Sequence, residues 1–385
     1  MTTKELHDRL SRIYNNRLFD YTTGHIEVDE TQDKTSLTKA NQQYQKTKTP
    51  IVMVDPDPRK YTYEELGVTS CSENTRAYLK IQDGCNNFCT YCIVPFRRGK
   101  MRSRNKDAIL EEATNIVNSG YQEIVLSGIH VGGYGQDLED INFSKLVSLL
   151  SDIQGLNSLR ISSIEESEID DDLIALISSR NNIAHHLHIP LQSGSNEVLK
   201  AMNRKYTREE FIDKIHRIKK EIPDIAISTD IIVGFPGETK DDFNELLDFV
   251  YDMRFDRLGA FPYSREEGTK AYNMAKQIRK DVKERRLDKI MELQRSISLE
   301  NNTKLIGKTL RVLVEEKESE GIYLGRSYMD APDIDNSIMF TSKKKPKIGS
   351  FVNVLIKDAF DYMNKYSLTG IPIVEEKNKY YGYVS

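Results

Sequence analysis

At 385 residues the chain has room for two or three domains and can bury large cores without covalent staples. A formal net charge of -4 argues against a generally basic nucleic-acid binder but leaves room for a local basic patch. Four cysteines make no disulfide framework, no run of about 18 apolar residues offers a membrane span, and the polar start "MTTKELHDRL" has no apolar secretory segment, so a cytoplasmic, reducing setting without a membrane partner is expected.

Residues 1–76 are polar and weakly periodic; a helix over about 3–16 precedes "TQDKTSLTKANQQYQKTKTP", which reads as a flexible linker. From Arg76 onward strand-like runs alternate with amphipathic helices. The strands are expected at 77–81, 123–129, 159–164, 186–191, 225–235 and 257–264. The helices are expected near 107–118, 143–152, 170–179, 207–221 and 240–252, with a long one over 280–303. Thr207 with Glu210 forms a capping box, and Gly120 suits the position after a helix end. Six such alternations predict an α/β fold with a parallel sheet. The strand ends are rich in Gly, Ser, Pro and acids, which suits an open barrel whose loops converge on one mouth. Short strands over 304–372 predict a small all-β barrel, followed by a tail over 373–385.

The loop after the first strand reads "GCNNFCTYC" and sets Cys85, Cys89 and Cys92 at C-x3-C-x2-C spacing. Cysteine clusters of this kind hold zinc or iron–sulfur centres. A four-iron cluster held by three cysteines leaves one iron open for a ligand. A closed zinc site would need distant Cys71, and the paired C-x2-C arms of structural zinc are lacking.

C-x3-C-x-aromatic-C, with Tyr91 as the aromatic, resembles the radical SAM superfamily. That resemblance implies a 4Fe-4S cluster on Cys85, Cys89 and Cys92, with S-adenosyl-L-methionine (SAM) on the open iron. It also implies one-electron cleavage of that cofactor to a hydrogen-abstracting radical, and an electron donor such as flavodoxin or ferredoxin. "LSGIHVGGYG", "LRISSIEESEI", "HLHIPLQSGS" and "IIVGFPGET" narrow the resemblance to the methylthiotransferases, which replace C–H by C–SCH3. It covers about residues 58–372 and implies a partial (β/α)6 radical SAM core over 77–303, then a TRAM domain over 304–372.

From "YEELGV" to "MNRKYT" the wording is most similar to enzymes that modify N6-threonylcarbamoyladenosine at tRNA position 37. "RFDRLGAFPYSREEGT", "MELQRSISLENN" and "GRSYMDAPDIDN" are more similar to enzymes that modify an aspartate of a small-subunit ribosomal protein. The barrel loops shape the active site, so tRNA is the expected partner and the ribosomal protein the alternative. The family's N-terminal domain carries three further cysteines for a second 4Fe-4S cluster. Residues 1–76 hold only Cys71 and resemble a remnant of that domain, so no second cluster can be ligated from the cysteines present, and a non-catalytic iron–sulfur binding module is a further alternative.

By the same resemblance Tyr91, Gly128, Ser163, Glu165, Gln192, Ser193, Gly234 and Pro236 would surround the cofactor. The competing readings are ordinary βα turns, helix caps and a rigid turn before Thr239. Gly132 and Gly133, with Gly128, would let the backbone approach the cofactor, and Ser162 could join Ser163 and Glu165 at the ribose. Arg98, Arg102 and Arg104, with Arg97 and Lys100, crowd the cysteine loop and suit phosphate or carboxylate contact, as does Lys344 in a β-barrel loop; solvated charge is the alternative. His186 and His188 face one way along a strand and read as satisfied interior histidines rather than metal ligands.

Overall fold

The computed structural model describes residues 63, 65, 75–332, 334, 335 and 337–357, and the backbone of 380–384. The expected N-terminal helix, the linker and Cys71 lie outside the described residues. The chain runs β1 (Ala77–Lys80), β2 (Gln82–Asp83), α1 (Val94–Arg98), β3 (Arg102–Ser103), α2 (Lys106–Asn118) and β4 (Glu123–Ser127). It continues through α3 (Phe143–Ser151), β5 (Ser158–Ile161), α4 (Asp171–Ser179), β6 (His186–His188), α5 (Asn196–Ala201) and α6 (Arg208–Glu221). Then come β7 (Ala226–Val233), α7 (Lys240–Met253), β8 (Arg257–Pro262) and α8 (Lys280–Thr303).

Side-chain caps set the helix starts. Thr207 and Glu210 close the expected capping box at α6, and Thr239 with Asp242 repeats it at α7. Asn105, Asn142 and Asp170 accept from the first-turn amides of α2, α3 and α4. The expected strands form but are shorter than the apolar runs, because their last residues turn into the loops of the mouth. The short helices α1 and α5 carry too little periodicity to be read in advance.

Six strands lie parallel in the order β1-β4-β5 and β6-β7-β8, and bridges Leu159–Ile183 and Ser163–His188 join the two halves. Spatial order follows chain order without reversal. Right-handed crossovers then place every helix on one face, which is the winding of a partial (β/α)6 barrel; a doubly wound sheet reverses direction. Alternation along the strands divides the residues cleanly. Leu79, Ile124, Leu126, Leu159, Ile161, Leu187, Ile227 and Ile231 join one buried core with Ile109, Leu146, Leu173, Phe211 and Leu246 of the helices. Each such side chain contributes roughly 1.5–3 kcal/mol on burial. Among the alternate positions, which face the lumen, Glu123, Arg160, His186, His188, Ser228, Asp230 and Arg257 are polar. A lumen of this composition is built for charge and hydrogen bonding rather than for apolar filling.

The C-terminal part closes a second barrel from β9 (Thr309–Ser319), β10 (Ile322–Arg326), β11 (Ile338–Thr341), β12 (Phe351–Ile356) and β13 (Tyr380–Val384), in the order β10-β11-β13-β12-β9. Leu310, Val312, Val314, Tyr323, Ile338, Phe340 and Val354 fill it. Its fifth strand comes from the segment read as a tail, while the expected strand "YSLTG" lies outside the described residues.

Buried charge joins the two barrels at the N-terminal ends of the strands. Arg76 Nε donates to Glu123 at 2.7 Å, and its other end pairs with Glu315, which also takes Arg326. Arg160 donates to the carbonyls of Tyr328 and Ser327 at 2.9 and 3.0 Å, and Arg257 pairs with Asp330 at 2.8 Å. The loop between β10 and β11 thus covers the base of the lumen, leaving the loops at the opposite strand ends to form the mouth.

Candidate active site

The cysteine loop opens with a left-handed Gly84, where a Cβ would stand 2.0 Å from the Lys100 carbonyl oxygen. That close approach lets the Cys85 amide donate to Gly99 O at 3.2 Å, so the loop folds back on itself. Gln82, fully buried, ties it down. Its Nε2 donates to the carbonyls of Asp83 and Gly84, and its Oε1 accepts from the amides of Ile129 and His130. Gly128 is needed there because a Cβ would lie 2.9 Å from Gln82 Oε1.

A second grip comes from residues 201–204, at the C-terminal end of α5. Thr90 donates its amide to Met202 O and its hydroxyl to Ala201 O. Asn203, left-handed at φ 62, donates to the carbonyls of Asn87 and Phe88. Arg204 reaches Cys89 Sγ at 3.6 Å while pairing with Glu165, donating to Pro190 O at 3.0 Å and covering the Tyr206 ring. One buried guanidinium therefore connects the cysteine loop with the loops after β5 and β6. The sequence reading passed over Gln82, Asn203 and Arg204. "MNRK" carried a signal only as wording, because its partners in the cysteine loop lie more than a hundred residues away.

Cys85, Cys89 and Cys92 are free thiols, each partly exposed. Burial pushes the Cys92 thiol up, and the neighbouring sulfurs of Cys89 and Cys85 push it further. Three thiols close enough to repel as thiolates are stabilised by a shared cationic centre. Donors already point at the sulfurs: the Asn87 amide at 3.4 Å from Cys85, the Val94 amide at Cys92, and Arg204 at Cys89. Among the described residues no three His, Cys, Asp or Glu side chains converge to hold a single ion. The donor set fits a 4Fe-4S cluster. His130 adds a cation beside it: burial would lower its pKa, but Cys85 and Glu168, at 2.6 Å, push it up to about 10.

The remaining expected residues divide between mouth and scaffold. Tyr91 packs edge-to-face on Phe235 in a small core with Met202 and Tyr263, and burial pushes its hydroxyl pKa up. Gly132 and Gly133 are buried where a Cβ would strike Glu168 and Met101. Ser163 is exposed at the end of β5, and Glu165 is committed to Arg204. Gln192 holds a left-handed φ of 68, fixed by its amide to Asp230 O and its carbonyl from Ile232 N. A glutamine kept in that region is a strained residue at the mouth. Ser193 is buried and accepts from the Ser195 amide, a turn role. Gly234, left-handed, donates to Glu238, which Arg286 neutralises, and Pro236 is buried beside them, so this loop is a rigid turn.

Of the basic residues, Arg98 and Lys344 are exposed. Arg102 donates to the carbonyls of Arg98 and Lys100 and lies beside Asp83. Arg104 is buried against Glu112 at 2.6 Å and donates to Lys80 O, so its guanidinium faces the interior and not a substrate. His188 is hydrogen-bonded inside the lumen through both ring nitrogens, whereas buried His186 is bonded through Nε2 alone. A cavity of about 160 Å³ lies at the base, lined by Ser158, Asn182, His185, Arg311, Tyr328 and Phe351, away from the cysteines.

The radical SAM superfamily profile matches residues 79–250 and the TRAM domain profile residues 306–372. Threonylcarbamoyladenosine tRNA methylthiotransferase MtaB of Bacillus subtilis is 41% identical over 339 residues, covering 86% of this chain and 74% of that protein. A tRNA-2-methylthio-N(6)-dimethylallyladenosine synthase of Thermoanaerobacter pseudethanolicus is 48% identical over 266 residues, 69% of this chain and 56% of that one. Ribosomal protein uS12 methylthiotransferase RimO of Clostridioides difficile is 45% identical over 287 residues, 74% of this chain and 65% of that one. The chain thus spans between about half and three quarters of the length of these relatives. With three cysteines presented on the first loop of a six-stranded barrel, and with these matches across the barrel and the β-barrel after it, the chain belongs to the radical SAM methylthiotransferase family.

Proposed function

We propose that this chain is the core of a methylthiotransferase acting on N6-threonylcarbamoyladenosine at tRNA position 37. Cys85, Cys89 and Cys92 would hold the cluster, with SAM beside the loops of Ser163, Glu165 and Gln192. When bound, these groups supply the electron and the radical that remove a hydrogen atom from the substrate. The protein's part is to hold the sulfurs, cover the base of the lumen and present polar groups at the mouth. Exposed Arg98 and Lys344 suit RNA phosphates. A small flavodoxin- or ferredoxin-type protein is the proposed electron donor.

The observation that carries the choice of tRNA is where the ribosomal-enzyme wording sits. "RFDR" brings Arg257 and "GRSYMDAPDID" brings Asp330, and these two pair with each other at the base. These two residues join the barrels and face away from the mouth, so they speak to assembly, while the rest of "RFDRLGAFPYSREEGT" runs along β8 to the mouth. The loops after β1, β4, β5 and β6, which hold the cysteines, Ser163, Glu165 and Gln192, carry the tRNA-enzyme wording.

The test is anaerobic reconstitution with iron and sulfide, followed by 5′-deoxyadenosine measurement with SAM and a strong reductant. Hypomodified tRNA is expected to stimulate that turnover. Stimulation by a uS12 peptide and not by tRNA would reverse the choice, and no turnover with either would leave a binding module.

A further inference from the structure

Resting on the tRNA reading above, we infer that Asp230 and His188, flanked by Phe261, form a base-reading subsite in the lumen that takes a purine donating an N–H to Asp230. Four polar side chains run in file along β6 and β7. His186 Nε2 and His188 Nδ1 both meet Ser228 Oγ at 3.0 Å, and His188 Nε2 meets Asp230 Oδ2 at 3.2 Å. The file rises from fully buried His186 to Asp230, whose side chain is 38% exposed. It therefore ends as an open acceptor at the mouth. Among the described residues His188 is the one side-chain partner of this carboxylate, which has room for further N–H donors.

The neighbouring strand makes space for it. A Cβ on Gly259 would stand 2.7 Å from Asp230 Oδ1 and 3.2 Å from the Phe261 ring, so both side chains lean over the glycine. Phe261 is 54% exposed at the end of β8, a large ring left in solvent next to a hydrogen-bond acceptor. A stacking face beside an acceptor matches a nucleobase.

Charge selects the same ligand. Arg160 and Arg257 are spent on the loop at the base, Glu123 on Arg76, and Glu165 on Arg204. Among these described residues of the lumen, Asp230 keeps an open carboxylate, met on one side by His188. It favours a ligand that offers N–H donors.

The experiment uses the reconstituted full chain with two labelled anticodon stem-loops. One carries N6-threonylcarbamoyladenosine, and the other an abasic site in its place. Phosphate contacts are common to both, so the affinity ratio isolates the base. The wild type is expected to prefer the first loop by roughly tenfold. Asp230→Asn and Phe261→Ala are expected to abolish that preference while SAM affinity, measured by equilibrium dialysis, holds. Phe261 is exposed, so its variant remains informative if Asp230→Asn folds poorly. Variants that keep the preference would overturn the subsite and leave the tRNA reading standing. Variants that lose SAM instead would assign these residues to the cofactor and overturn it too. A wild type without preference that binds a uS12 peptide would overturn the tRNA reading itself.

Discussion

The two ends of the barrel use similar residues for opposite purposes. At the base, Arg76, Arg160 and Arg257 meet Glu123, Glu315, Asp330 and backbone carbonyls, and the charge is closed within the protein. At the mouth, Arg204 holds Glu165 while reaching a sulfur, Gln192 and Asn203 sit in left-handed backbone, and Asp230 keeps open acceptor capacity. The base pairs its charges within the protein, though Arg160 Nε and Arg257 Nε make no hydrogen bond among the described residues, and the mouth keeps acceptor capacity for a ligand. Left-handed Gln192 and the open carboxylate of Asp230 stand where a ligand can complete them.

The largest effect expected is at the mouth. Cys89→Ala should remove nearly all bound iron from a wild-type stoichiometry of about four per chain, read by iron assay and visible absorption, with little change in fold. Bound zinc in the wild type would contradict the cluster assignment.

At the base, Glu123→Gln leaves Arg76 and Arg160 buried without their carboxylate and should cost about 3–5 kcal/mol, measured by chemical denaturation. A cost near zero would mean that the base is solvated and the contrast between the ends is false. The same carboxylate gives a pH dependence. Burial alone would push Glu123 up, but Arg160 and Arg76 overcome it and hold its pKa below the ordinary 4.5. The unfolded state then binds more protons in this range, so the stabilisation is full above about pH 4.5 and is lost as pH falls through the folded value. Glu123→Gln should flatten that acid limb.

The smallest effect returns to the mouth. Gln192→Gly should stabilise the chain by about 1 kcal/mol by relieving its backbone, while weakening SAM binding. Stabilisation without a loss of affinity would make Gln192 a scaffold residue only.

The long elements and the cysteine loop were legible because their signals are local. Hydrophobic period, caps such as Thr207 with Glu210, and C-x3-C-x2-C spacing all lie within one element or one loop. The basic residues were misread at Arg104 for the opposite reason. A run of arginines looks the same whether it faces water or Glu112, and only the packing of α2 distinguishes them.

The sequence by itself determined the strand–helix alternation, the three sulfurs and their spacing, since each depends on residues close in the chain. Only the tertiary structure decided that Gln82, Asn203 and Arg204 hold the cysteine loop, that the β10–β11 loop covers the base, and that Asp230 ends a polar file in the lumen. Those arrangements join residues from about 40 to more than 160 positions apart, and no local pattern records which strands will come to lie side by side.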